Sequence, residues 1–322
     1  MKRAVITGPT GAIGRALINE CIKDGYEVLA ITHRLSQRSA DMEGIPHCTV
    51  LRLDESEYGR AIDEMEKQGI DWPVPNAGTG SANKKKEGGL FFHLAWVASF
   101  GDQRNNLVLQ MGNVQAAMDA VILAGKLGCE AFIGIGSQAE YGRIRECLRP
   151  NTPTEPENGY GSAKLCAGQM TRFLCQEQGI RHIWDRVLSV YGPYDRKETL
   201  ISTAITQMVN NEDTEFSPCR QVWDYLYSED AARAILLSGE EGLDGKIYVV
   251  GSGVGMPLMW YLQRIAEITG YRKEIGFGKR PYNQKQVMHL VADITELKRD
   301  TGFMPETSFE DGVRKILTGR LD

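Results

Sequence analysis

The chain has no excess of positive charge: across 322 residues, 37 Lys+Arg face 42 Asp+Glu, a formal net charge of −5. That balance argues against a broad basic footprint, so no nucleic-acid partner is expected, whereas an anionic small molecule needs only a few local cations. The seven cysteines (21, 48, 129, 147, 166, 175, 219) form no Cys-x-x-Cys pair and no zinc spacing. No metal is therefore expected, and a reducing compartment is. No apolar run approaches membrane-spanning length, and Met1-Lys2-Arg3 leads into a short strand rather than a signal peptide. The expectation is a cytoplasmic protein with no membrane partner. Internal repeats and low-complexity tracts are also lacking. What remains, 42% hydrophobic and 25% charged residues, suits a soluble globular protein of one large or two smaller domains with a sizeable core.

Ala4-Val5-Ile6-Thr7 is a short apolar β-run that meets a glycine cluster, and Ile13, Ala16, Leu17 and Cys21 then recur at helical spacing until Asp24-Gly25. Strand, glycine turn and helix follow in the order of a dinucleotide-binding unit. The turn reads Thr7-Gly8-Pro9-Thr10-Gly11-Ala12-Ile13-Gly14. Its spacing lets the chain turn at Gly8, brings the backbone of Thr10, Gly11, Ala12 and Ile13 to a pyrophosphate at a helix N-terminus, and allows close helix–strand contact at Gly14. The second strand, Glu27 to Thr32, ends in Thr32-His33-Arg34, followed by Ser36 and Arg38. A carboxylate there would bond the ribose hydroxyls of NAD, whereas cations accommodate the extra phosphate of NADP. NADP(H) is thus expected, with NAD(H) possible, Arg34 as first phosphate partner, and His33 and Arg38 as second ones. Asp54, after a third strand at Thr49 to Leu53, is placed either to meet an adenine edge or to cap the helix that begins near Ser56.

Residues 72–89 are rich in chain breakers and read as an exposed loop with a solvated Lys84–Lys86 tip. A fourth strand follows at Leu90 to Ala95, and a helix is expected over Asn113 to Leu127. The wholly apolar Ala131 to Gly136 suits a buried parallel strand, and it ends at Ser137-Gln138-Ala139-Glu140. In the next helix, running to Gly179, Tyr160 and Lys164 are four residues apart and share a face. A cation beside a phenol favours the phenolate, which lets Tyr160 exchange a proton near neutral pH.

The glycine turn, Phe92-His93-Leu94-Ala95, the Ser137–Gly142 segment and the Tyr160/Lys164 pair together resemble the extended short-chain dehydrogenase/reductase family, which acts mostly on nucleotide sugars. Arg186 to Pro193, Asp224 to Asp230, and Lys279-Arg280-Pro281 with Asp293 extend the resemblance over nearly the whole chain. It implies an α/β fold, a doubly wound parallel (Rossmann) sheet with a smaller C-terminal α/β substrate lobe. Residues 1–192 would form the dinucleotide domain, with elements around 225–251 returning to it, and 193–322 mainly the substrate lobe. It also implies a homodimer through a four-helix interface and a Ser137–Tyr160–Lys164 triad, with Tyr160 and Lys164 touching the cofactor as well. Further cofactor contacts are implied for Leu94, Ala95, Trp96, Asn113 and Val187, and substrate contacts for Gln138, Ser189, Arg220 and Arg280.

Departures from the family pattern sharpen the reading. The dehydratases carry an Asp-Glu pair where this chain has Gln138 and Ala139, and strand-like alternation would turn the following Glu140 away. Simple 4-epimerases retain NAD and usually show an acidic residue where His33-Arg34 stands. No Cys/His acid–base pair is evident. Ser189 replaces a frequent asparagine and Trp223 an arginine that often clamps the diphosphate, a loss Arg220 or Arg280 would have to offset. The expected activity is NADPH-dependent reduction of a keto group, at C4, on a nucleotide-activated sugar. The alternatives are a nucleotide-sugar 4-epimerase with tightly held NAD and a non-catalytic NADP(H)-binding sensor.

Overall fold

In the computed structural model, which describes residues 2–73 and 88–319, the chain order is β1 (Lys2–Thr7), α1 (Ala12–Lys23), β2 (Tyr26–Thr32), β3 (Cys48–Arg52), α2 (Ala61–Lys67), β4 (Leu90–His93), α3 (Leu107–Lys126), β5 (Ala131–Ser137), α4 (Gly159–Gln178) and β6 (Arg181–Val187). There follow β7 (Ser189–Tyr191), α5 (Leu200–Val209), β8 (Val222–Trp223), β9 (Tyr225–Tyr227), α6 (Ser228–Glu241), β10 (Lys246–Val250), β11 (Met256–Pro257), α7 (Leu258–Thr269), β12 (His289–Leu290), α8 (Thr295–Thr301) and α9 (Phe309–Thr318). The expected loop at 72–89 and its Lys84–Lys86 tip fall largely on residues outside the described ones.

A seven-stranded sheet in the order β3-β2-β1-β4-β5-β6-β10, parallel throughout, makes the doubly wound α/β core. Consecutive residues of its strands bury on opposite faces, which is why the strands read as continuous apolar runs. Ile6, Phe92 and Ile133 join the cluster formed with Leu17, Ile18 and Leu236. Val5, Phe91 and Phe132 join the one formed with Val121 and Leu123. Strand order reverses between β1 and β4, so their carboxyl ends form the crevice where such sheets bind ligands. There Thr7 Oγ1 lies 3.0 Å from His93 Nδ1, and burial pushes the His93 imidazole down to about 3, which keeps it neutral.

Residues 200–209 and 256–318 add α5, α7 and α9 around a separate core that includes Ile205, Leu262 and Val313. The fully buried Asp224 carboxylate ties the parts of the chain together, accepting hydrogen bonds from Ser252 N, Gly253 N and Ala292 N at 2.8, 3.0 and 3.1 Å.

Helix α3 begins six residues before the expected Asn113. The Asn106 side chain caps it by accepting the Leu109 N–H, whereas Leu107 and Val108 are exposed and leave no inward periodicity to read. Its 20 residues are, among the described helices, the one long and apolar enough to cross a membrane by length and composition. This corrects the sequence expectation that nothing approaches that length. The fold puts the apolar positions to another use, with Val114, Ala117, Ala120 and Val121 all buried.

Candidate active site

Why the chain turns as it does after β1 is visible at Gly8, where φ is +67° and a Cβ would lie within 3 Å of the Ala95 backbone. Only glycine allows both. A Cβ at Gly11, by contrast, would project into open space, and α1 starts at the next residue with no side-chain cap. Its first N–H groups are therefore free for an anion. The turn forms one wall of a cavity of about 460 Å³. Gly8, Thr10, Gly11, Ala12, Ile13, Gly14, His33, Arg38, Leu94, Ala95 and Trp96 line it, as do the unforeseen Glu55, Tyr194 and Arg196. In size, position and backbone donors the cavity fits a dinucleotide.

Arg34 is placed otherwise than the sequence suggests. Its guanidinium bonds Glu57 and Glu64, each at 2.9 Å, and does not line the cavity. The two carboxylates neutralise it and hold it against the 3-10 turn Glu55–Arg60 and α2. Asp54 accepts the Arg34 backbone N–H at 2.9 Å and stands as N-cap of that turn, the second of its two expected positions, and it does not line the cavity. Nor do Asn113 and Val187. Asn113 exchanges hydrogen bonds with the Val97 backbone at 2.9 and 3.0 Å, which fixes the loop bearing Trp96, and Val187 is packed into the core.

Next to Trp96, and like Asn113 outside the cavity lining, stand Tyr160 and Lys164 of the expected triad, with Ser137 at the end of β5, also off the lining. Asn158 caps α4 by accepting the Gly161 N–H at 2.8 Å, and Tyr160 sits in the first turn. A side chain at Gly161 would strike the Ala139 carbonyl, so glycine there lets α4 close onto the turn that follows Ser137. The Ser137 hydroxyl accepts the Ala139 N–H at 3.2 Å, and its proximity to the Tyr160 phenol favours the ionised form of that group. Residues 138–140 form a 3-10 turn and not a continued strand. Glu140 accordingly points inward: its carboxylate is fully buried, accepts the Ser137 N–H at 2.8 Å and pairs with Arg186 at 2.7 Å.

Lys164, 3% exposed, donates to the Ile135 carbonyl at 2.6 Å, and its ammonium lies 3.7 Å from the Trp96 ring centroid. Burial pushes it down to about 7. The cation facing Tyr160 is a different one. The Arg104 guanidinium lies 4.5 Å from the phenol ring centroid. Burial raises the Tyr160 phenol, and the Ser137 hydrogen bond and the Arg104 charge oppose that rise. Nothing in the sequence around Arg104 marks it, since it falls in a motif-free stretch between β4 and α3.

The four expected substrate residues do not line the cavity. Gln138 follows Ser137 in the 3-10 turn. Ser189 accepts the Trp223 indole N–H at 2.8 Å, so the two departures from the family pattern are bonded to each other. Arg280 is exposed and pairs with Glu215 at 3.3 Å. Arg220 is exposed, and its backbone N–H donates to the Tyr282 hydroxyl at 2.9 Å.

Known proteins share this fold. The model of the NAD dependent epimerase/dehydratase family matches residues 4–251. The CDP-abequose synthase of Salmonella muenchen is 24% identical over 98% of this chain and 97% of its own length. The low-salt glycan biosynthesis protein Agl12 of Haloferax volcanii is 27% identical over 62% of this chain and 65% of its own length. Among solved structures, the UDP-glucose 4-epimerase of Thermotoga maritima, with UDP-glucose, superposes with a TM-score of 0.82 at 22% identity, covering 99% of this chain and 100% of that one.

Proposed function

The chain belongs to the NAD dependent epimerase/dehydratase family, oxidoreductase-type enzymes of the extended short-chain dehydrogenase/reductase class, and from that premise we propose that it reduces a keto group, at C4, on a nucleotide-activated sugar. One observation carries the choice among the family's reactions. The only carboxylate in the turn after Ser137 is Glu140, and it is locked into a buried ion pair with Arg186. Elimination of water needs a free acid and base at that place, and Gln138 and Ala139 supply neither. Tyr160 is then the proton donor to the substrate oxygen, and Ser137 holds that oxygen by a hydrogen bond as charge builds on it. A nicotinamide, when bound, would supply the hydride. Lys164 would hold its ribose, and the glycine turn its pyrophosphate. The CDP-abequose synthase, by its name, makes a nucleotide-linked sugar, which supports the substrate class.

NADP(H) is the proposed cofactor, with Arg38 and His33 at the cavity edge in place of the sequestered Arg34. A second reading, a 4-epimerase holding NAD, is favoured by that same sequestration and by Glu55 on the cavity wall. Supplying nucleotide 4-keto-sugars with NADPH or NADH, and identifying the nucleotide released on denaturing the purified protein, separates the two. Turnover with NADPH supports reduction; released NAD together with epimerisation in the absence of added cofactor supports the second reading.

A homodimer is part of the proposal. Val108 and Met111 on α3 and Met170 and Phe173 on α4 are large, exposed apolar side chains on two helices that pack together. A mass of one chain by light scattering would exclude it.

A further inference from the structure

Tyr160 is faced by four polar or charged groups. Its own helix offers Lys164 one turn on, β5 ends at Ser137, the following turn holds Glu140, and the 3-10 turn Gly101–Asn105 carries Arg104. Lys164 is turned aside, its ammonium between the Ile135 carbonyl and the face of Trp96. Glu140 opposes ionisation of the phenol, but Arg186 beside it offsets that charge. Among the described residues, Arg104 is the cation that lies over the phenol ring.

Two features set it apart from an incidental surface arginine. Its guanidinium has no carboxylate partner among the described residues, and Nε is buried without a hydrogen bond. An arginine otherwise so poorly satisfied keeps its full charge for whatever lies beneath it. The segment carrying it is also fixed. Gln110 donates to the Ala98 carbonyl at 3.0 Å and to the Gln103 carbonyl at 3.5 Å, and Asn105 accepts the Gly159 N–H at 3.5 Å, tying the turn to the first residue of α4.

We propose that Arg104 is a positioning residue that adds a second positive charge to that of Lys164 in favouring the ionised form of Tyr160. The inference rests on Tyr160 being the acid–base group of the proposed reaction. Arg104 touches neither hydride nor proton and acts through the phenol. When Tyr160 gives its proton to the substrate oxygen, the phenolate left behind is stabilised by the guanidinium over its ring.

The test is the ionisation of Tyr160 in the full-length protein, read as the tyrosinate absorbance of wild type minus Tyr160→Phe across pH, with and without NADP+. The same difference is taken in Arg104→Gln, Arg104→Met and Arg104→Lys backgrounds. Both neutral variants are expected to move the Tyr160 midpoint upward by about one pH unit, and Arg104→Lys to restore most of the shift. The falling alkaline limb of the reduction rate should move with it. An unmoved midpoint in whichever neutral variant folds overturns the proposal, as does an equal shift in the lysine variant, which would mark packing rather than charge. Lys164→Met moving the midpoint while the Arg104 variants do not would assign the role to Lys164 alone and overturn the proposal. The titration needs no sugar, so a shifted midpoint without turnover of any keto-sugar would refute the proposed reaction and leave the Arg104–Tyr160 coupling standing.

Discussion

Glu140 and Arg186 form an ion pair of 2.7 Å whose side chains are 0% and 4% exposed, and the same carboxylate accepts the Ser137 N–H. A structural ion pair thus stands directly behind a candidate catalytic hydroxyl. Trp184 adds a third bond, its indole N–H reaching Glu140 Oε1 at 3.1 Å.

Breaking that pair from one side should be costly, because Arg186 would remain buried and uncompensated. Glu140→Gln is expected to lower stability by about 3 kcal/mol in urea unfolding. Glu140→Leu combined with Arg186→Met should recover only part of it, because the buried Ser137 and Trp184 N–H groups then lack their acceptor. If reduction nevertheless stays low in the double variant, Glu140 also positions Ser137.

Lys164 makes stability depend on pH. Its ammonium titrates near 7 in the fold and near 10.5, the ordinary lysine value, in the unfolded chain. Between those values the unfolded state binds the extra proton, so folding gains stability as pH rises through that window. Below pH 7 both states are protonated, and the cost of burying the ammonium is borne in full. Lys164→Met should therefore be more stable than wild type at pH 7, with the difference shrinking toward pH 10. Urea midpoints across that range check it, and parallel curves would refute it.

Cofactor choice is expected to depend on Arg38 and not on Arg34. Arg38→Ala should weaken NADPH binding roughly tenfold, the worth of one exposed charge-assisted hydrogen bond, and barely change NADH binding. Arg34→Ala should leave the NADPH/NADH ratio unchanged and lower stability instead, because Glu57 loses its cation and Glu64 keeps only Lys67. Fluorescence titration of each variant distinguishes these outcomes.

Gly161 holds Tyr160 against Ser137. Alanine is the better helix former, yet its methyl would strike the Ala139 carbonyl. Gly161→Ala should destabilise by about 1–3 kcal/mol and reduce turnover more than it reduces cofactor affinity, which calorimetry and steady-state rates measure separately.

Much of this was legible in the sequence because its signals are local. Strand, glycine turn and helix are contiguous, Tyr160 and Lys164 share one helix face, and Gly179 ends α4 with φ +64° where glycine stops helices. What was not legible depends on partners distant in the chain. Arg34 looked free because Glu57 and Glu64 lie 23 and 30 residues further on. Glu140 was turned away on strand alternation, but the chain leaves the strand at Ser137 and the 3-10 turn drives it inward. Arg104 sits in a segment without periodicity, and only the docking of that segment onto α4 brings it over Tyr160. The Ser189–Trp223 hydrogen bond joins two residues 34 apart that each read as an isolated departure.

The most direct test of the central claim is a single turnover of a nucleotide 4-keto-sugar with NADPH, following loss of nicotinamide absorbance in wild type and Tyr160→Phe. The wild type is expected to oxidise one equivalent of NADPH and yield the 4-hydroxy sugar, and Tyr160→Phe to bind both ligands with little change but react at least a hundredfold more slowly, the scale of a lost general acid. Equal rates in the two proteins, or a product that has lost water with no net oxidation of NADPH, would contradict it.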